Sequence, residues 1–135
     1  MDQAPHFRRA LVLHEQGRHD HRDEAEDAAR RAVGLAPALG FAHFTLGRVL
    51  AFRNREAEAL AATDEALRLE PENAQYHVLR AGLEYDRRRW AAALAAAEAG
   101  LGCDAENVGC SNLRAMALVK LGRGGVQWGI ILGWY

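Results

Sequence analysis

The stretch GFAHFTLGRVLAFRNREAEALAATDEALRLEP, residues 40–71, decides how this chain is organised. Its Ala66 and Pro71 have counterparts 34 residues earlier, at Ala32 and Pro37. A second set of landmarks recurs with the same 34-residue period, at Leu46-Gly47, Arg80-Ala81 and Arg114-Ala115. Two independent sets of landmarks with one period indicate an internal repeat.

Each repeat is predicted to contain two helices, because apolar and small residues recur at helical spacing on both sides of a short turn. A proline ends the second helix, since it lacks a backbone N–H and clashes with the preceding turn. The small residues Gly47, Ala59 and Ala66 are expected to let two helix backbones approach closely. The predicted helices span residues 4–17, 21–35, 40–53, 56–69, 73–87, 90–101 and 107–121.

This pattern resembles the tetratricopeptide repeat, a two-helix unit with Leu-Gly in its first helix, alanines in its second helix and a closing proline. The resemblance covers about residues 5–123, or about three and a half repeats, and residues 40–71 are its best copy. It implies an all-α fold, a right-handed superhelical solenoid of antiparallel helix hairpins with about seven helices. The domain is predicted over 1–123, with repeats at about 4–39, 40–73 and 74–107, a half repeat at 108–123 and an atypical apolar tail at 124–135.

For function, the resemblance implies a non-catalytic scaffold that binds a peptide or a partner protein in a concave groove lined by the first helices. The side of those helices that faces away from the packing residues is expected to line the groove: Phe41, Phe44, Arg48, Phe52, Gln75, Val78, Tyr85, Asn112 and Met116. Large apolar groups with scattered polar ones suit a peptide whose apolar side chains dock there. Alternatively, some of the aromatic side chains complete the core of the stack.

Composition argues against several other classes of protein. The formal net charge of -1 is unlike that of a nucleic-acid binder, which usually carries a basic excess. The sequence contains no serine-hydrolase elbow, phosphate loop or dinucleotide fingerprint, so we expect no enzyme, no catalytic residue and no cofactor. We also expect no metal site, because His19 and His21 lack the spacing of a structural zinc site. Metal binding by this histidine-rich turn nevertheless stays an alternative.

The cellular location is expected to be cytoplasmic. The apolar end of the chain is too short to span a membrane, and the first residues do not resemble a signal peptide. The two cysteines cannot form a disulfide framework, which favours a reducing compartment. Cys103 stands where the repeat has Leu35 and Leu69, so a buried apolar role is expected for it. The abundance of Arg, Ala and Gly suggests a GC-rich bacterial source.

Residues 124–135 depart from the repeat, because glycines replace helix-forming residues and apolar side chains alternate as in a strand. Two interpretations stay open for this tail. It is either a chain end unrelated to the repeat, or a segment that folds over the last helix or joins two chains. The second interpretation predicts an alternative function, a self-assembling structural module that forms a homo-oligomer through its uncapped C-terminal helix and apolar tail.

Overall fold

The computed structural model describes residues 21–122, and this part of the chain is all-α, with six helices and no strand. The helices are α1 (21–35), α2 (Gly40–Phe52), α3 (Glu56–Leu69), α4 (Ala74–Asp86), α5 (Trp90–Cys103) and α6 (Val108–Lys120). The sequence predicted about seven helices. The described part contains six, because the predicted helix 4–17 lies outside the described residues, as does the tail 124–135.

The bounds of α4 and α6 differ slightly from those predicted, because an asparagine that was assigned to each helix is its N-cap. The Asn73 side chain accepts a hydrogen bond from the backbone N–H of Gln75 at 3.1 Å. Asn107 accepts one from the backbone N–H of Cys110 at 2.9 Å. Each bond satisfies one of the N–H groups that the first turn of a helix leaves without a partner.

The residues that follow α2, α4 and α6 repeat a backbone conformation with the 34-residue period of the sequence. Asn54, Arg88 and Gly122 follow α2, α4 and α6, and all three have a left-handed backbone, with φ of 60°, 62° and 78°. After α2, the N–H of Arg55 donates to the carbonyl of Leu50 at 3.0 Å, which closes the last turn of the helix. The sequence period therefore corresponds to a recurring backbone conformation.

In two places, a histidine side chain of one helix forms a hydrogen bond to the proline that follows the preceding helix. The Nε2–H of His43 donates to the carbonyl oxygen of Pro37 at 2.8 Å, and that of His77 donates to Pro71 at 2.9 Å. Since a proline ends helical hydrogen bonding locally, its carbonyl is free to accept this bond. The two bonds lie 34 residues apart, so the repeat extends to the connections between hairpins.

The core lies between neighbouring helices. From α2 to α6 each helix contacts the next one along the chain, and α4 also contacts α2 and α6. Gly47 is buried against α3, where an added Cβ would lie 2.8 Å from the Thr63 hydroxyl oxygen. Ala59 and Ala66 are fully buried on the facing helix. This confirms the prediction that small residues allow the close approach of the two helices.

Cys103 is exposed, so the prediction of a buried role was wrong. Its repeat position is not a core position, because the equivalent Leu35 is 80% exposed and Leu69 is half-buried. The second thiol, Cys110, is buried, and burial raises its pKa, so it stays protonated. Of the two cysteines, it is Cys110 that belongs to the core.

Candidate functional site

A cleft of about 450 Å³ lies between α2 and α4. The residues that line it are Phe44, Arg48, Gln75, Val78 and Leu79. Phe44 and Arg48 are four residues apart on α2 and therefore share one face of the helix, as Gln75 and Leu79 do on α4. Four of the five lining residues belong to the predicted groove, so the structure brings part of that set together.

Leu79 lines the cleft but was not among the predicted groove residues. It also packs against the core cluster that includes Leu46 and Leu50, so the floor of the cleft is continuous with the core. Its spacing of four residues from Gln75 is the sequence signal that could have found it. The cleft thus has an apolar floor and a mixed rim.

An aromatic cluster holds the Phe44 wall of the cleft in place. The Phe44 ring centroid lies 4.8 Å from that of Tyr76 on α4 and 6.0 Å from that of Phe41. Tyr76 is only 2% exposed. Burial, together with the Glu70 carboxylate, raises the pKa of Tyr76 to about 12, so its hydroxyl stays neutral. Because Tyr76 is buried, it fixes the ring that it contacts.

Arg48 is the charged residue of the cleft, and its side chain is exposed. Its guanidinium carbon lies 5.7 Å from the Phe44 ring centroid, within the range of a cation–π contact. Among residues 21–122, no carboxylate lies within ion-pair distance of Arg48. Within the described part of the chain, the Arg48 guanidinium thus contacts an aromatic ring and no carboxylate.

Two of the predicted phenylalanines lie between α1 and α2 instead. Phe41 is 59% exposed and lines an apolar groove of about 530 Å³ together with Leu35 and Leu39. Phe52 is 76% exposed and lines a smaller hollow that includes His21. Although they lie on the same helix as Phe44, neither lines the cleft between α2 and α4.

The remaining predicted residues lie towards the C-terminal end of the described chain. Tyr85 packs edge-on against Trp90, with ring centroids 5.0 Å apart, and contacts a core cluster that includes Leu94. Asn112 and Met116 are exposed on α6 and do not line the cleft. Tyr85 thus contributes to packing between helices, and the two α6 residues extend beyond the cleft.

An ion-pair network connects α1 to the turn between α2 and α3. The Glu26 carboxylate accepts hydrogen bonds from Arg30 at 2.8 Å and from Arg55 at 2.5 Å, and Arg53 lies 3.4 Å away. The bond from Arg30, followed by that from Arg55, lowers the pKa of Glu26. These partners satisfy one another, so the network has a structural role.

Two further features of residues 21–122 concern metal binding and membrane-spanning helices. No group of three or more His, Cys, Asp or Glu side chains in this range could hold a metal ion. His21, the part of the histidine-rich turn that is described, is exposed beside Glu24, with 3.5 Å between Nδ1 and Oε2. None of the helices in the range has both the length and the apolar character needed to cross a bilayer.

Comparison with family models gives no match for this chain. The curated proteins likewise include none that matches it.

Proposed function

We propose that this chain is a non-catalytic scaffold of tetratricopeptide-repeat type, which binds a peptide or a partner protein in the cleft between α2 and α4. The observation that carries the proposal is the convergence of Phe44 and Arg48 with Gln75 and Val78 around one open cleft. Two first helices of successive repeats supply these residues. A concave site that mixes apolar walls with a few polar groups is suited to peptide recognition.

Several structural details recur with the 34-residue period and support a solenoid of antiparallel hairpins. They include the left-handed turn residues, the histidine bonds to proline carbonyls and the asparagine caps. The contacts of α4 with both α2 and α6 are those that stacked first helices would make. A stack of this kind exposes one wall of first helices, which is where the cleft lies.

Filling the cleft tests the proposal. Random peptides displayed on phage would be selected on the full chain, and the enriched peptides titrated by fluorescence anisotropy. Gln75→Trp places a large side chain in the cleft from an exposed position, so we expect at least about a tenfold loss of affinity. Ala57→Trp is the matched control, since Ala57 is exposed on α3 and does not line the cleft.

Two outcomes would contradict the proposed binding function. One is that no peptide is enriched over a selection without the protein. The other is that Gln75→Trp binds the enriched peptides as tightly as the unchanged chain while circular dichroism shows both to be folded. In the second case the binding surface lies outside the cleft.

A second candidate function is self-assembly through α6 and the tail 124–135. The observation that favours it is the exposure of Ala115 on α6, whereas the equivalent Gly47 and Ala81 are buried against a second helix. Val119 is 67% exposed in the same helix. Ala115 and Val119 are four residues apart and share one face of α6, and a contiguous exposed apolar face is typical of interfaces.

Light scattering tests this alternative. The full chain is expected to have the mass of an oligomer, and removal of residues 124–135 or the substitution Val119→Asp is expected to give a monomer. Helicity by circular dichroism should stay nearly unchanged in both variants. A monomeric mass for the full chain, or the same oligomeric mass in all three proteins, would exclude assembly by this route.

A further inference from the structure

Of the twelve arginines in residues 21–122, six lie within ion-pair distance of a carboxylate and six, including Arg48, do not. Arg53, Arg55 and Arg80 each lie within ion-pair distance of at least one carboxylate. Arg48 has no such partner among residues 21–122, and instead its guanidinium lies over the Phe44 ring. Arg48 thus lines the cleft with an aromatic contact and, among the described residues, without an ion pair.

We infer that the cleft binds a peptide segment in which an aspartate or glutamate side chain is flanked by apolar side chains. Arg48 binds the carboxylate, and Val78 and Leu79 contact the apolar side chains. The inference rests on the proposed function, because it names the chemistry of the peptide that the same cleft would take. The charge of the ligand is negative, and a side chain carries it.

The geometry favours an acidic ligand for two reasons. A guanidinium presents two parallel N–H groups that match the two oxygens of a carboxylate. The contact with Phe44 holds the guanidinium near the cleft, so less side-chain freedom is lost when a ligand binds. The described residues that line the cleft include no acidic side chain that would compete for Arg48.

A side-chain carboxylate fits better than a phosphate or a chain-terminal carboxylate. Arg48 is the single cation that residues 21–122 contribute to the lining, whereas phosphate recognition usually draws on clusters of arginines. The nearest helix start, that of α4, has its Gln75 N–H already bonded to Asn73. A terminal carboxylate would normally use such free backbone N–H groups.

The apolar part of the ligand follows from the rest of the lining. Phe44 and Val78 are half-buried, and Leu79 joins the floor of the cleft to the core. Apolar side chains placed against this surface would remove it from water, which supplies the affinity that a single exposed ion pair lacks. Charge sets the preference, and apolar contact provides most of the binding.

Three peptide libraries test the inference. Each consists of octapeptides with blocked ends, randomised among Leu, Val, Ile and Phe, with Glu, Gln or Lys fixed at one central position. Binding of each library to the full chain is measured by fluorescence anisotropy. We expect the Glu library to bind about tenfold more tightly than the Gln library, since a charge-assisted hydrogen bond is stronger than a neutral one. The Lys library should bind most weakly.

Substitutions at Arg48 test whether this residue causes the tighter binding of the Glu library. Arg48→Ala should make the Glu and Gln libraries equal, and Arg48→Glu should reverse the preference towards Lys. The matched control is Arg31→Ala, which removes the same charge from an exposed arginine of α1 with no described ion pair. A fourth library, with Gln at the centre and a free C-terminus, tests the other source of a carboxylate.

Each outcome separates this inference from the proposed function. If all libraries bind equally and Gln75→Trp abolishes their binding, the peptide site stands and the acidic preference is wrong. If the preference for Glu persists in Arg48→Ala, the assignment of that preference to Arg48 is wrong. If only the library with a free C-terminus gains affinity, the source of the carboxylate is wrong. If no library binds although peptides selected on phage bind and lose affinity in Gln75→Trp, the acidic preference is wrong and the peptide site stands. If phage selection also enriches no peptide, both are overturned.

Discussion

The two hairpins α2–α3 and α4–α5 have the same helix lengths and the same turn, yet different side chains fill them. Both pair a helix of 13 residues with one of 14 residues. Their turns contain a left-handed residue at equivalent positions, Asn54 and Arg88. The differences between the hairpins therefore show which side chains the shared backbone tolerates and which it requires.

The closest helix contact shows how the two hairpins conserve volume. In the first hairpin Gly47 faces Thr63, a fully buried residue whose hydroxyl donates to the Ala59 carbonyl at 2.7 Å. In the second hairpin the equivalent residues are Ala81 and Ala97, both fully buried and packed in one cluster. Side-chain atoms have been redistributed across the contact, so the combined volume matters more than the identity of either residue.

The largest effect is expected from Gly47→Leu, which would force the first hairpin apart. An added Cβ would already lie 2.8 Å from the Thr63 hydroxyl oxygen, so a larger side chain has no room. The free energy of unfolding should fall by about 3 kcal/mol. Urea denaturation followed by circular dichroism measures this loss. Ala57→Leu, at an exposed position of α3, should change stability by less than about 0.5 kcal/mol.

A smaller loss is expected from Gly100→Ala, although it restores the alanine found at the equivalent Ala66. An added Cβ at Gly100 would clash with the sulfur of Cys110, so the free energy of unfolding should fall by about 2 kcal/mol. Gly102→Ala is the control on the same helix. Since nothing lies within 4 Å of an added Cβ there, helix propensity should make this change neutral or stabilising.

The double variant Gly100→Ala with Cys110→Ala sharpens this result. Removal of the sulfur should relieve most of the clash. The double variant should therefore lose less free energy of unfolding than the sum of the losses in the two single variants. Thermal melts of the four proteins complete the cycle. Additive costs would show that the clash, and with it this account of the second hairpin, is incorrect.

Glu84→Leu is expected to stabilise the second hairpin. Glu84 is 3% exposed, and its Oε2 atom has no hydrogen-bond partner among the described residues. The equivalent residue of the first hairpin is Leu50, which is fully buried. The substitution should raise the free energy of unfolding by about 1 to 2 kcal/mol. Glu72→Leu, on an exposed turn, is the control and should have little effect. A lower melting temperature for Glu84→Leu would show that the carboxylate has a stabilising partner.

Arg88→Gly compares the two turns directly. Arg88 has a φ of 62°, a conformation that costs an ordinary side chain about 1 kcal/mol and costs glycine almost nothing. The melting temperature should rise, corresponding to a gain of up to about 1 kcal/mol. Arg87→Gly should have the opposite sign, because Arg87 has a φ of -83° and gains nothing from the freedom of glycine. Equal shifts for the two variants would contradict the assigned turn.

The smallest effect concerns the charges at the two turns. Glu26 binds the arginines of the first turn, whereas no carboxylate among residues 21–122 lies within ion-pair distance of Arg87, Arg88 or Arg89. Because the pKa of Glu26 is lowered from 4.5, its contribution is complete above that pH and is lost as the pH falls through the folded-state value.

Glu26→Gln should therefore flatten the dependence of stability on pH below about 4.5, by about 0.5 kcal/mol for this partly exposed network. Chemical denaturation at pH 7, 4 and 3 measures the change. Glu106→Gln, at an exposed position, is the control and should leave the curve unaltered. An identical pH dependence for Glu26→Gln and the unchanged chain would show that the ion pairs of Glu26 do not stabilise the fold.

The sequence by itself determined the helices of residues 21–122 to within two residues at each end. This was possible because helical periodicity and stop signals act locally, within a few residues of the chain. The 34-residue period also identified the small residues at the closest contact, since a backbone approach excludes any larger side chain. Gly47 and Ala59 could therefore be recognised without coordinates.

Only the tertiary structure decided which residues share the cleft. Phe41, Phe44 and Phe52 lie on one helix and were equivalent in the sequence pattern, but the packing of α4 brings Phe44 alone next to Gln75. The burial of Glu84 and the exposure of Cys103 were likewise invisible in the sequence. A helical pattern specifies the face on which a side chain lies, whereas burial and proximity depend on which neighbouring helix covers that face and at what angle.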